Sequence, residues 1–367
     1  MKNTISARQT AIIACILLFS NKILTLPSLL YEKSKADSLF IMLLMFFVEI
    51  FVLFIFFKLK RRYQSETFFE ILSQKLGKVV AIIVFSCFFL YFFIKLLINF
   101  NFTHMYFKIQ VYHDDQDSVF LFVAIVIMIT MMARGFRPLA RTLEFFYYAI
   151  LIGFGLCVFI SFVNFRQFPI FFDSPIKEIF IGSYRYAFAF GDVLFLFFIM
   201  DKVELTRKGE GQILKYVTFA MTTILVGYFL FFSVYQYSIF MHPNAVSDII
   251  VLSYQIFSVG RLEFLAVLII MNITLFQISL YAYVLAYILR QIFKKLKKNY
   301  SIFVVLGLFL SLYVIYFNNL DVIKMCFTGY VSIFALVLQL LIPLICLVFT
   351  FSKKEQRRQV WENIMKF

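Results

Sequence analysis

The chain has 367 residues, 63% of them hydrophobic and 20% aromatic, with 15% charged and a formal net charge of +15. Soluble domains run about 45–50% apolar and about 25% charged, so this composition excludes a soluble globular protein and fits one whose outer surface meets lipid. The basic residues sit in short loops between apolar runs, which excludes the clustered basic face of a nucleic-acid binder.

A bilayer core takes roughly 20 apolar residues per helical crossing. Apolar runs closed by charged loops predict ten crossings, at residues 8–31, 37–57, 79–107, 118–133, 138–163, 176–200, 212–239, 261–290, 301–317 and 327–351. The first run continues past Pro27 to Tyr31, too long for a signal peptide, so it is read as a retained membrane helix. Between the second and third runs, Glu66 to Lys78 reads as an amphipathic surface stretch. Between the seventh and eighth, His242 to Val259 is too polar to span and reads as a helical outer cap.

Lys and Arg collect in alternate loops. With the N-terminus inside, the outer loops hold only Lys33, Lys35, Lys108, Arg166, Lys177 and Lys324, while the inner segments and the tail after Ser352 hold most of the rest. Loops rich in these residues stay cytoplasmic, so both termini are expected inside. Ten crossings divide into two sets of five, residues 8–163 and 176–351, followed by a tail at 352–367. Because five is odd, the second set enters the membrane inverted. The expected fold is therefore an all-α polytopic membrane protein with a LeuT-like 5+5 inverted repeat, in which the first helix of each repeat is broken at mid-membrane.

Polar residues within the apolar runs mark the candidate site. Ser20, Asn21 and Lys22 are consecutive in helix 1 and cannot share one helical face, which points to a break there; the alternative is a continuous helix with Lys22 snorkelling outward. Helix 6 carries Arg185, Gly191 and Asp192, where glycine frees the backbone and a carboxylate needs a partner. Arg185 pairing with Asp192 along the helix is the alternative. Helix 3 places Lys95 and Asn99 on one face. Helix 8 places Thr274, Gln277 and Tyr281 on another, either lining a site or serving as interhelical glue. With Asp192 read as the only carboxylate at the depth of Lys22 and Lys95, two arrangements satisfy the charges. Either one lysine pairs with Asp192 while the other meets a ligand carboxylate, or one lysine is neutral and carries a proton. In the first case backbone N–H groups near Lys22 and Ile23 would help to hold the carboxylate.

No catalytic, cofactor or metal motif is present. His104, His113 and His242 have no ligand spacing and read as interfacial residues. Cys15, Cys87, Cys157, Cys326 and Cys346 all fall in apolar runs as small buried hydrophobes, and there is no P-loop, GxSxG or HExxH. The inner loop holds Arg134, Arg137, Arg141 and Glu144, the last two spaced to pair with each other or with a partner subunit.

Several segments together resemble one family. Ile5-Ser6-Ala7-Arg8-Gln9 leading to Ile23-Leu24-Thr25-Leu26-Pro27, the loop from Ala133 to Glu144, and the outer segments Pro243 to Ile250 and Gly260 to Glu263 look like the B subunit of the spore germinant receptors. These spore-germination permeases resemble amino acid, polyamine and organocation transporters. The resemblance implies a LeuT-like fold and a non-enzymatic sensor of a small nutrient, typically an amino acid. It also implies a complex with an A-type membrane subunit and a C-type lipoprotein in the spore inner membrane. By position, Ser20, Asn21, Lys22 and Ile23 would lie at the helix 1 break, and Phe188, Gly191 and Asp192 at the helix 6 break. The family usually has a glycine where this chain has Ser20-Asn21-Lys22.

Overall fold

The computed structural model describes residues 4–23, 26–110, 117–235, 238–239, 248–249, 263–316 and 330–350, with backbone only for a few of them, Ser20 and Asn21 among these. The described residues are almost wholly helical. No strand occurs among them, and a single parallel bridge joins Ile5 to Val203.

The chain opens with α1, Ala7–Ile23, and α2, Leu26–Ser34. The long α3, Ser38–Arg62, is followed by α4, Phe68–Leu76. This short helix has a physical start and stop. Thr67 Oγ1 accepts from Glu70 N at 3.2 Å while Glu70 Oε2 accepts from Thr67 N at 2.8 Å, and Gly77 at φ +90° ends it. Its apolar residues Phe68, Phe69, Ile71 and Leu72 are buried, as expected of an amphipathic stretch. Next come α5, Lys78–Gln110, α6, Asp117–Arg134, and α7, Phe136–Val163.

The region expected as the sixth crossing is interrupted. After α8, Ile176–Arg185, a 3₁₀ turn spans Ala187–Ala189, Phe190 is extended, and Gly191 takes the left-handed conformation at φ +81°. A second turn at Asp192–Leu194 leads into α9, Phe195–Phe198. The remaining helices are α10, Arg207–Tyr235, α11, Glu263–Ile292, and α12, Lys298–Tyr316, then α13, Tyr330–Leu336, and α14, Ile342–Thr350. A π-helical segment, Val337–Leu341, joins α13 to α14.

Among the described residues six helices are long and apolar enough to cross a membrane, at Lys35–Arg62, Lys78–Lys108, Phe136–Val163, Arg207–Tyr235, Ile269–Ile292 and Tyr330–Phe349. Three shorter apolar helices lie at Ala7–Phe19, Val119–Arg134 and Lys298–Tyr313. The sequence pattern counts one more run, 176–200, which lacks a continuous helix because the backbone turns at Phe190 and Gly191. The expected outer cap at His242 to Val259 lies outside the described residues apart from Asp248 and Ile249, as do His113 and the tail.

Ring contacts fix the helix directions that matter for the site. Phe100 and Phe107 both meet Phe120, at 5.3 and 5.0 Å, so α6 begins against the C-terminal half of α5. Phe136 meets Tyr283 at 5.0 Å and Phe146 meets Phe276 at 5.3 Å, so α11 runs antiparallel to α7. At the centre, α1, α3, α5 and α11 surround the interrupted segment. His104 is buried against Phe120.

Candidate functional site

An interruption in a membrane helix leaves backbone N–H and C=O groups that lipid cannot satisfy, so neighbouring side chains must do so. Here they do. The Phe190 carbonyl accepts from Lys95 Nζ at 2.6 Å, Tyr91 Oη at 3.0 Å and Gln339 Nε2 at 3.0 Å. Gln339 Nε2 also reaches the Ala187 carbonyl at 3.1 Å and Tyr91 Oη at 2.9 Å. On the other side, Gly191 N–H donates to Glu49 Oε1 at 3.1 Å. The π segment sets Gln339, which is 1% exposed, against this backbone.

A buried cluster of four charged side chains sits on the same segment. Asp192 accepts from Lys22 Nζ at Oδ2, and from Lys95 Nζ at 2.6 Å and Tyr281 Oη at 2.7 Å at Oδ1. Lys22 Nζ also lies 3.5 Å from Glu49 Oε1. All four charged side chains are at most 5% exposed. Two amines face two carboxyl groups, so the formal charges cancel. Charges buried in this way are tolerated only when paired, since each unpaired one costs several kcal/mol. The amines also lie over aromatic rings, Lys22 at 5.1 Å from the Phe190 ring and Lys95 at 5.3 Å from the Tyr91 ring.

Of the residues singled out from sequence, Lys22, Lys95, Gly191 and Asp192 therefore meet. Gln277 joins them through Tyr281, donating to Tyr281 Oη at 2.8 Å and to the Leu17 carbonyl at 3.2 Å. Phe188 packs on Tyr91 at 5.4 Å. Asn99 is buried one turn from Lys95. Thr274 bonds back to its own helix, at Ile270 O and Met271 O, and so contributes packing to α11. Ile23 lines a small apolar cavity of about 30 Å³ with Pro27, Phe154 and Tyr228. The side chains of Ser20 and Asn21 lie outside the described ones.

Five readings are corrected. The backbone is helical through Ser20, Asn21, Lys22 and Ile23, so these residues end a helix and do not form an unwound segment, and Leu24 and Thr25 lie outside the described residues. Lys22 does not snorkel, because its amine is drawn inward to Asp192. Asp192 is not alone at its depth, for Glu49 of α3 supplies a second carboxylate. Both lysines contact Asp192, and the N–H groups of Lys22 and Ile23 are engaged in the helix. Glu144 pairs with Arg8 at 3.1 Å and accepts from Gln9 at 3.2 Å, joining α7 to α1, where a pair with Arg141 or with a partner subunit was expected. Arg185 likewise is not the partner of Asp192, whose oxygens are taken by Lys22, Lys95 and Tyr281.

Glu49, Tyr91 and Gln339 were missed. Glu49 was legible as the one acidic residue in the apolar run 38–57. Gln339 was likewise the one amide side chain in its run, whereas no sequence signal marks the π segment that positions it. No group of three or more His, Cys, Asp and Glu side chains able to hold a metal occurs among the described residues.

The sequence profile described as "Spore germination protein" matches residues 4–322, nearly the whole chain and all of the cluster but Gln339. The chain belongs to the spore germination protein family. It is thus a germination-related, multi-pass membrane protein of the permease type. Comparison with curated proteins finds no match.

Proposed function

We propose that this chain is the B-type membrane subunit of a spore germinant receptor, a non-enzymatic sensor whose occupancy by a small nutrient triggers germination. The supporting observation is family membership over residues 4–322, a span that carries the interrupted helix and its four-charge cluster together. In this reading the chain crosses the membrane ten times as two inverted sets of five helices. Both termini face the cytoplasm of the spore core, the protein lies in the spore inner membrane, and it assembles with an A-type membrane subunit and a C-type lipoprotein. The family resemblance points to an amino acid as the usual kind of nutrient. Deleting the gene should abolish germination by one nutrient class while leaving nutrient-independent germination intact, and the tagged chain should co-purify with the A-type and C-type subunits. A deletion strain that germinates normally on every nutrient overturns the proposal.

A proton-coupled amino acid permease is the second reading, favoured by titratable groups on an interrupted helix, as carriers require. Sodium coupling is disfavoured because Lys22 and Lys95 already occupy both Asp192 carboxylate oxygens and would repel an ion beside them. Uptake of labelled amino acids into proteoliposomes, driven by a pH gradient, separates the two readings.

A further inference from the structure

The end of α3, the start of α10 and the segment from Asp201 to Thr206 enclose a cavity of about 830 Å³, within the range of small-molecule sites. The helical period of α3 places its mouth. Phe47, Phe54 and Arg61 are spaced by seven residues, close to two turns, so they share one face, and all three are exposed. Phe51 and Lys58 repeat the pattern beside them. An exposed phenylalanine stripe on a membrane-spanning helix faces acyl chains. Arg61 lies about 10 Å further along the axis than Phe54, where that stripe turns charged. Because Arg61 also lines the cavity, the cavity opens on the lipid-facing side of α3 at the edge of the bilayer.

The lining selects the occupant. Four cations, Lys60, Arg61, Lys202 and Arg207, stand there with three carboxylates. Arg61 donates twice to Glu210, which fixes the guanidinium in place and leaves its other N–H groups for a ligand. Lys60 is 4% exposed, and its amine donates to the Gln64 carbonyl, a neutral partner for a buried cation. Arg207 is exposed at the rim with Lys208 beside it. The other two carboxylates are short of donors, since Asp201 Oδ1 has none among the described residues and Glu204 accepts from the Thr4 hydroxyl. A ligand that suits both sets brings a phosphate to the cations and hydroxyl donors to the acids, with a net negative charge to match the surplus of the lining. The opening toward acyl chains makes that ligand the headgroup of a lipid.

We propose that this cavity binds an anionic phospholipid of the phosphatidylglycerol class, its phosphate met by Lys60, Arg61 and Arg207, its glycerol hydroxyls by Asp201 and Glu204, and an acyl chain by the phenylalanine stripe of α3. The site needs only a membrane-spanning fold, so it stands or falls apart from the nutrient-sensing reading. The full-length protein is placed in nanodiscs of phosphatidylcholine with rising fractions of phosphatidylglycerol or of phosphatidylethanolamine, and its unfolding midpoint is followed. The midpoint should rise with phosphatidylglycerol and level off, and should not rise with phosphatidylethanolamine. Arg207→Gln/Lys208→Gln removes exposed cations, so it should keep the parent midpoint in phosphatidylcholine yet need about fivefold or more phosphatidylglycerol for the same rise. Lys294→Gln/Lys295→Gln, beyond the end of α11 and outside the cavity, should respond like the parent protein. Equal weakening in both double variants overturns the site, because the attraction is then a diffuse one between a basic surface and an anionic bilayer. An undiminished rise in Arg207→Gln/Lys208→Gln overturns it as well. An equal rise when glycerol phosphate is added to plain phosphatidylcholine nanodiscs makes the ligand a soluble phosphate and overturns the lipid. An equal rise with phosphatidylethanolamine overturns the anionic headgroup, and no rise with any lipid overturns the inference outright.

Discussion

Glu49 and Gly191, 142 residues apart in sequence, are joined by a hydrogen bond of 3.1 Å from the glycine N–H to the carboxylate. A side chain of α3 thereby holds the backbone of the interrupted segment, and the same oxygen faces the amine of Lys22. Removing one member of a buried charge pair costs about 3–5 kcal/mol because the other is left uncompensated. Glu49→Gln and Lys22→Met should therefore each lower the unfolding midpoint of the purified protein markedly. The double variant restores neutrality and should be less destabilised than the sum of the singles, with a coupling of about 0.5–3 kcal/mol. Strict additivity would show that the two side chains do not interact.

Gly191 is constrained twice. Its φ of +81° disfavours any residue with a Cβ, by roughly 1–2 kcal/mol, and a Cβ there would stand 2.3 Å from the side chain of Gln339. Gly191→Ala should thus destabilise strongly and displace Gln339 from the Phe190 and Ala187 carbonyls. In Gly191→Ala/Gln339→Ala the steric conflict is gone while the conformational cost persists, so stability should recover only in part, as read by thermal unfolding. Full recovery would mean that the left-handed backbone matters little.

The Arg8 and Glu144 pair is different in kind, with side chains 43% and 28% exposed. Pairs this open contribute about 1 kcal/mol or less. Glu144→Gln should leave the unfolding midpoint nearly unchanged. It should also fail to add fully to Arg8→Met, since either change removes the ion pair between Arg8 and Glu144. A large loss of stability in Glu144→Gln alone would argue for a partner beyond Arg8 and Gln9.

Asp201 provides a pH test away from the membrane core. It lies in the turn Met200–Lys202, where burial pushes its carboxyl above the ordinary value against the pull of Lys202 and Lys60. Its Oδ1 has no donor among the described residues. A carboxyl whose folded value is raised stabilises the fold fully below its unfolded value of about 3.9, and that contribution is lost as pH rises through the folded value. Asp201→Asn should therefore be more stable than the parent protein near neutrality, with the gap closing as pH falls toward about 4. A gap that stays constant across this range would dissociate Asp201 from the effect.

The interruption at Phe188 to Asp192 was legible because glycine beside a carboxylate is rare in an apolar run, and the amines because lysine within a membrane helix stands out. What sequence could not supply was which distant groups converge. Snorkelling stayed open for Lys22 beside a pair with Asp192 because its partners lie on α3 and beyond Gly191, contacts set by tertiary packing. Glu49 was passed over as one acid among 20 acidic residues, though its surroundings were wholly apolar. Thr274 shares a helical face with Gln277 and Tyr281, yet its short side chain turns back to its own carbonyls, a choice that periodicity does not register.

The pairing of Lys22 with both Glu49 and Asp192 also bears on biosynthesis. Helices enter the bilayer in the order they leave the ribosome, and a lone charge at mid-membrane costs about 2.5–3.5 kcal/mol during insertion. Glu49 arrives with the very next long helix, so α1 and α3 inserting as a hairpin bring one charge of each sign. Lys95 has no such early companion, for its carboxylate follows 97 residues later. Glycosylation mapping of truncated nascent chains should accordingly show α1 inserting poorly alone and well once residue 62 has emerged, with Glu49→Ala cancelling the gain. A gain that survives Glu49→Ala would rule out charge pairing as its source. The later carboxylate then fastens together helices that have already crossed.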